Sequence, residues 1–116
     1  MGSSTNAEKS EKRRKRRVTI PGHPQILDTY SDKILGQLVN LSVDGLMAVS
    51  PLGINCGTVC QVRIPLAVGD QSVELQLGIE SLWCEDANDS GSHWTGFQII
   101  DISPEHQKIL HSIVGD

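Results

Sequence analysis

No stretch of this 116-residue chain stays apolar over the roughly 20 residues that a membrane-spanning helix requires. The polar, charged N-terminus also lacks the apolar centre of a secretory signal. Both absences point to a soluble, cytoplasmic protein. Metal ligands are few and scattered. Cys56 and Cys60 form a C-x-x-x-C pair, but Cys84, His23, His93, His106 and His111 supply no second close pair. Zinc needs about four ligands held together, so no metal site is expected. Three cysteines, an odd number, also argue against a disulfide framework. They are expected to be reduced, mostly buried thiols that act as small hydrophobes. Catalytic signatures are missing as well. There is no G-x-S-x-G elbow, no G-x-x-x-x-G-K-[ST] phosphate loop and no H-E-x-x-H pair. The expectation is a protein that performs no chemistry and carries no cofactor.

Positive charge is nearly absent from the body of the chain. Residues 18–116 hold Lys33, Arg63 and Lys108 against 12 acids, a balance of −9. Residues 1–17 reverse this: Lys9, Lys12, Arg13, Arg14, Lys15, Arg16 and Arg17 stand against Glu8 and Glu11, a balance of +5. An anionic partner should therefore meet the protein at this arm. A broad nucleic-acid surface on the acidic body is not expected, because it would repel phosphate. Residues 1–12 contain almost no large apolar side chain and read as a disordered tail, with one domain over 13–116.

From Val18 the chain reads as short strands between turn signals. Val18-Thr19-Ile20 stops at Pro21-Gly22, and Ile26-Leu27 forms a short segment ending near Asp32. Ile34 to Val39 reads as a strand that ends at Asn40. Leu46 to Val49 follows the turn at Asp44-Gly45. Cys60, Val62, Ile64 and Leu66 alternate with polar or exposed positions, as do Val73, Leu75, Leu77 and Ile79 after the Gly69-Asp70 turn. Leu82 and Cys84 then change phase, which predicts a bulge near Ser81. Residues 85–92 read as a loop and His93 to Asp101 as a strand. Ser103-Pro104-Glu105 opens a helix with an N-cap serine, a proline at the first position and an acid facing the dipole. Ile109, Leu110, Ile113 and Val114 share one face of it. Six or seven antiparallel strands and one terminal helix predict a closed or nearly closed β-barrel with a helix packed on it.

Two features acquire meaning together. The arginine run contains Arg13-x-x-x-Arg17, just before the opening strand. Asn40-Leu41-Ser42-Val43-Asp44-Gly45 is an N-x-S-x-x-G segment between two strands. Taken singly, a basic run reads as a solvated tail and N-x-S-x-x-G as a local turn. In this order and context they resemble the PilZ family of cyclic di-GMP receptors, which carries R-x-x-x-R followed by [DN]-x-S-x-x-G. Leu82-Trp83, a loop, Gly96-Phe97 and the final helix resemble that family's C-terminal half.

The resemblance implies a PilZ-type barrel with a flexible basic N-terminal arm. It also implies a cyclic di-GMP site built from Arg13, Arg17, Asn40, Ser42 and Gly45, with Arg14 as an additional arginine in preference to Arg16. Trp83 is a candidate for stacking on a base, the alternative being barrel packing. The chemistry is coherent. An arginine fork matches guanine O6 and N7, and it also neutralises phosphate. The Asn40 carbonyl and the Ser42 hydroxyl can accept from the guanine N1–H and N2–H groups. Gly45 answers either a positive φ or a close approach of backbone. No output domain is recognisable, so the expected relay is to a downstream partner protein. The rival readings are a PilZ-like interaction module that needs no ligand and a nucleic-acid binder that uses the arm.

Overall fold

The computed structural model describes residues 16–86 and 91–115. Among these residues seven strands are formed: β1 (Val18–Thr19), β2 (Gln25–Asp28), β3 (Ile34–Leu41), β4 (Gly45–Ser50), β5 (Val59–Val68), β6 (Gln71–Asp86) and β7 (His93–Asp101). The helix α1 spans Pro104–Val114. All pairings are antiparallel. The order β3-β2-β5-β6-β7-β4 closes on itself through β3–β4, giving a six-stranded barrel, and β1 adds to the β2 side of β3.

Alternation in the sequence sets the inside of this barrel. Val62, Ile64 and Leu66 of β5 lie beside Leu75, Leu77 and Ile79 of the neighbouring β6 on the inner face, and all six are buried. Ile26, Leu38, Leu41, Leu46 and Phe97 complete the wall. Leu110 and Val114 bring the apolar face of α1 onto it. Ser103 caps the helix by accepting from the His106 amide, Pro104 stands in the first turn, and Gly115 ends it in the left-handed conformation at φ 81°.

Phase breaks in the strands decide what reaches the outer face. In β6, Ser81 pairs with Phe97 and Trp83 with Gly96, so Leu82 is an extra residue. This is the bulge expected near Ser81. A second bulge was not foreseen. In β3, Leu38 pairs with Ala48 but Asn40 with Met47, which makes Val39 the extra residue. Leu38 and Leu41 are therefore both buried although three positions apart, and Asn40 turns outward between them.

Three expectations need correction. The strand through Ile34 runs on to Leu41, so Asn40 lies within it rather than past its end. Glu85 and Asp86, read as loop, pair with Trp94 and His93 and belong to β6. Cys56 is exposed rather than buried, because it sits in the link between β4 and β5, outside the ladder. Cys60 and Cys84 are half-buried, and all three thiols are free. Burial, reinforced by the charge of Asp28, pushes the Cys60 thiol above its ordinary pKa. Residues 1–12, together with Arg13 and Arg14 of the arm, lie outside the described residues. Among the described residues, no helix is long and apolar enough to cross a membrane.

Candidate functional site

Pairing of β1 with β3 builds the site. Val18 lies opposite Leu41 and Thr19 opposite Asn40. Side chains alternate along a strand, so burial of Ile20 puts Arg17 and Thr19 on the outer face. The Val39 bulge puts Asn40 on the same face. The Arg17 guanidinium then donates from Nη1 to Asn40 Oδ1 at 2.9 Å, across 23 residues of sequence. A guanidinium has five N–H donors and an amide oxygen two lone pairs. Both groups retain hydrogen-bonding capacity after this contact. Asn40 adds no negative charge beside Arg17, so the cation is not neutralised by this neighbour.

The row continues across the barrel. Asn40 pairs with Met47, Met47 with Gly96, and Gly96 with Trp83. Three strand spacings place Trp83 roughly 14 Å from Asn40. Two bulges, one at each end, bring Asn40 and Trp83 onto this one outer row. The indole lies flat against Gly96, where any Cβ would collide with the ring. Trp83 is 41% exposed and Leu82 48%. Between Arg17 and Trp83 is an open cavity of about 310 Å³, floored by Leu46, Met47 and the Gly96–Phe97 step and flanked by Leu82. Its wall is apolar, and among the described residues that line it Arg17 is the one cation, at its edge.

Ser42 and Gly45 support this row from below. The Ser42 amide donates to the Gly45 carbonyl at 2.8 Å, closing the β3–β4 hairpin. The Ser42 hydroxyl donates to Asp44 Oδ1 at 2.7 Å and lies 3.2 Å from the Gly45 carbonyl; the residue is 1% exposed. Gly45 has no positive φ. It is the close approach that requires glycine: a Cβ would stand 2.5 Å from the Phe97 carbonyl oxygen of the neighbouring strand. Arg16 points the other way, with its Nη1 beside Gly115 at the carboxyl end of α1, where a cation suits the helix dipole.

The structure thus brings Arg17, Asn40 and Trp83 to one surface and sets Ser42 and Gly45 beneath it. Met47 was not singled out in the sequence, and Leu82 and Gly96 figured there only in the phase change and the family resemblance, not as site residues. Only the strand register reveals them. A larger cavity of about 430 Å³ lies between β1, the Pro65–Ala67 end of β5 and Ile113. Its described lining carries no charged side chain, so it does not suit a phosphate. Among the described residues, no cluster of side chains could hold a metal ion.

The model of the PilZ domain family matches residues 11–116. The chain belongs to the PilZ domain family. Two solved structures are similar in fold. Against the Bacillus subtilis inhibitor of motility MotI/DgrA, the TM-score is 0.71 at 13% identity, over 86% of this chain and 47% of the other. This chain therefore spans about half the length of that protein. Against the PilZ domain of YcgR from Escherichia coli, determined with c-di-GMP, the TM-score is 0.61 at 17% identity, over 88% of each chain. No curated protein sequence matches the chain. At these identities the neighbours establish the PilZ fold, and the site must be argued from its own residues.

Proposed function

We propose that this PilZ domain is a receptor for cyclic di-GMP, and that it passes the signal to a partner protein without catalysing a reaction itself. One observation carries the reading: Arg17 and Asn40 meet on the outer face at 2.9 Å, in the row that ends at Trp83. A cyclic dinucleotide of guanosine offers what this row lacks. Its phosphates are anions for Arg17, with Arg13 and Arg14 of the same run adding charge. Its guanines have acceptor edges for an arginine fork and donor edges for the Asn40 carbonyl. Their flat faces suit the apolar floor of Met47 and Gly96 and the exposed indole of Trp83.

The family match supports the reading, because the residues that fit the R-x-x-x-R and N-x-S-x-x-G pattern include the two that meet here. The YcgR domain supports it too, having been determined with c-di-GMP on the same fold. The site's location supports relay to a partner. Ligand would pin the arm across β3, β4, β7 and β6, and so would change the surface the barrel presents.

Calorimetric titration with cyclic di-GMP, with GTP and cyclic di-AMP as controls, tests the proposal. Saturable binding of cyclic di-GMP in clear preference to both controls is expected. No binding, or equal binding of all three, would overturn it.

A further inference from the structure

We propose that Ser81 is a positioning residue that, through the Asn55–Thr58 loop, holds Trp83 in the register needed to meet a base. The inference rests on the receptor reading for its ligand, but its structural basis is independent of it. Without a bulge, β6 would alternate strictly, and Trp83 would share the inward face of Ile79 and Ser81. The extra residue, Leu82, reverses this and lays the indole over Gly96. The bulge therefore decides whether Trp83 faces the cavity or the core.

A bulge disrupts its ladder locally, and the backbone groups around it need other partners. The regular β5–β6 ladder ends at Val59–Glu80. From there the loop before β5 folds back onto Ser81. The Ser81 amide donates to the Thr58 carbonyl at 2.9 Å, and the Gly57 amide donates to the Ser81 carbonyl at 2.8 Å. The Ser81 side chain, 1% exposed, doubles this grip: its hydroxyl donates to the Asn55 carbonyl at 2.5 Å and accepts from the Thr58 amide at 2.9 Å. The carbonyl of the bulged Leu82 itself accepts from the Cys56 thiol at 3.0 Å. Gly57 makes the loop's turn at φ 87°, a conformation that a side chain disfavours. Ser81 is thus joined to three residues of one loop, and the next two positions are the bulge and Trp83. Ser81 does not itself line the cavity, so its effect on ligand is indirect, and the test must separate a path through Trp83 from one through its neighbours Leu82 and Phe97.

The test is a double-mutant cycle of Ser81→Ala and Trp83→Ala, read by cyclic di-GMP affinity. A second readout needs no ligand: emission and acrylamide quenching of Trp83 in a Trp94→Phe background. Ser81→Ala is expected to weaken binding about fivefold, the scale of one or two lost hydrogen bonds, and to have no further effect once Trp83 is alanine. The ligand-free Trp83 signal should shift in the same variant. An equal loss of affinity with and without Trp83, or an unchanged Trp83 signal in Ser81→Ala, overturns the inference. If Ser81→Ala does not fold, Thr58→Val takes its place in the cycle, since it removes the 2.6 Å bond from Thr58 Oγ1 to the Asn55 carbonyl that shapes the same loop. A wild-type protein that binds no cyclic di-GMP would remove the receptor reading alone. The fluorescence arm would still decide the positioning role.

Discussion

The Arg17 guanidinium and the Asn40 amide share a 2.9 Å hydrogen bond, although 23 residues separate them in the chain. The register explains it. Val18 opposite Leu41 and Thr19 opposite Asn40 bring the end of the arm alongside the end of β3. The two motifs are thus joined by strand pairing before any ligand arrives. Under the proposed function, what remains for a ligand is to engage Arg13 and Arg14 as well.

Asn40 is expected to read the base and Arg17 the charge. Asn40→Ala should weaken cyclic di-GMP binding by about tenfold and reduce its preference over cyclic di-AMP, since the acceptor for guanine N–H groups is lost. Residual binding should be strongly salt-dependent, because it rests on the arm. Titrations of both dinucleotides at two salt concentrations check this. Full retention of the preference would show that Asn40 does not select guanine.

Ser42 separates two roles that its motif alone leaves joined. Its hydroxyl is buried and engaged with Asp44 and the Gly45 carbonyl. Ser42→Ala should lower the stability of the free protein by about 1 kcal/mol, measured by urea unfolding, with a smaller effect on affinity. The opposite pattern, unchanged stability with a large loss of affinity, would mean that the hydroxyl turns out to meet the ligand.

Asp28 supplies a pH dependence away from the site. Its carboxylate accepts from the Ser31 amide at 3.0 Å and from the Tyr30 amide at 2.9 Å. The Ser31 bond is the largest influence; partial burial opposes it, and the net effect holds the pKa below the ordinary 3.8. A depressed native pKa stabilises the fold above the unfolded value, and that stabilisation is lost as pH falls through the native value. At pH 7 the wild type should therefore melt above Asp28→Asn, and the gap should close as pH drops below 3.8. A gap that persists unchanged in acid would show that the charge contributes nothing.

Most of the barrel could be read from side-chain period. β5, the first half of β6 and the helix face each turn inward the residues that their alternation or 3.6-residue spacing picks out, and the Ser103-Pro104 start is a local signal. The phase change from Ile79 to Leu82 announced its bulge because apolar residues stand on both sides of it. The Val39 bulge gave no such sign. Val39, Asn40 and Leu41 fit a strand running out into a turn, and only the pairing with β4 shows that Asn40 is inside β3 and facing outward. The role of Met47 and Gly96 in the site was hidden for a related reason. Their place between Asn40 and Trp83 is a property of register across β4 and β7, which no local pattern encodes. Cys56 was misjudged because apolar residue type predicts burial on average, while the Asn55–Thr58 loop stands outside the ladder.

The most direct test of the account is calorimetric titration of cyclic di-GMP into the wild type and into an Arg13→Ala/Arg17→Ala variant shown to be folded. Arg17 precedes β1 and is exposed, so the barrel should be intact in the variant. Loss of the charge-assisted contact at Arg17 alone should weaken binding at least tenfold, about 1.4 kcal/mol, and the double variant more. Saturable binding by the wild type with this loss in the variant is the predicted result. Equal affinity in the two proteins would contradict the site, and no binding by the wild type would contradict the receptor reading itself.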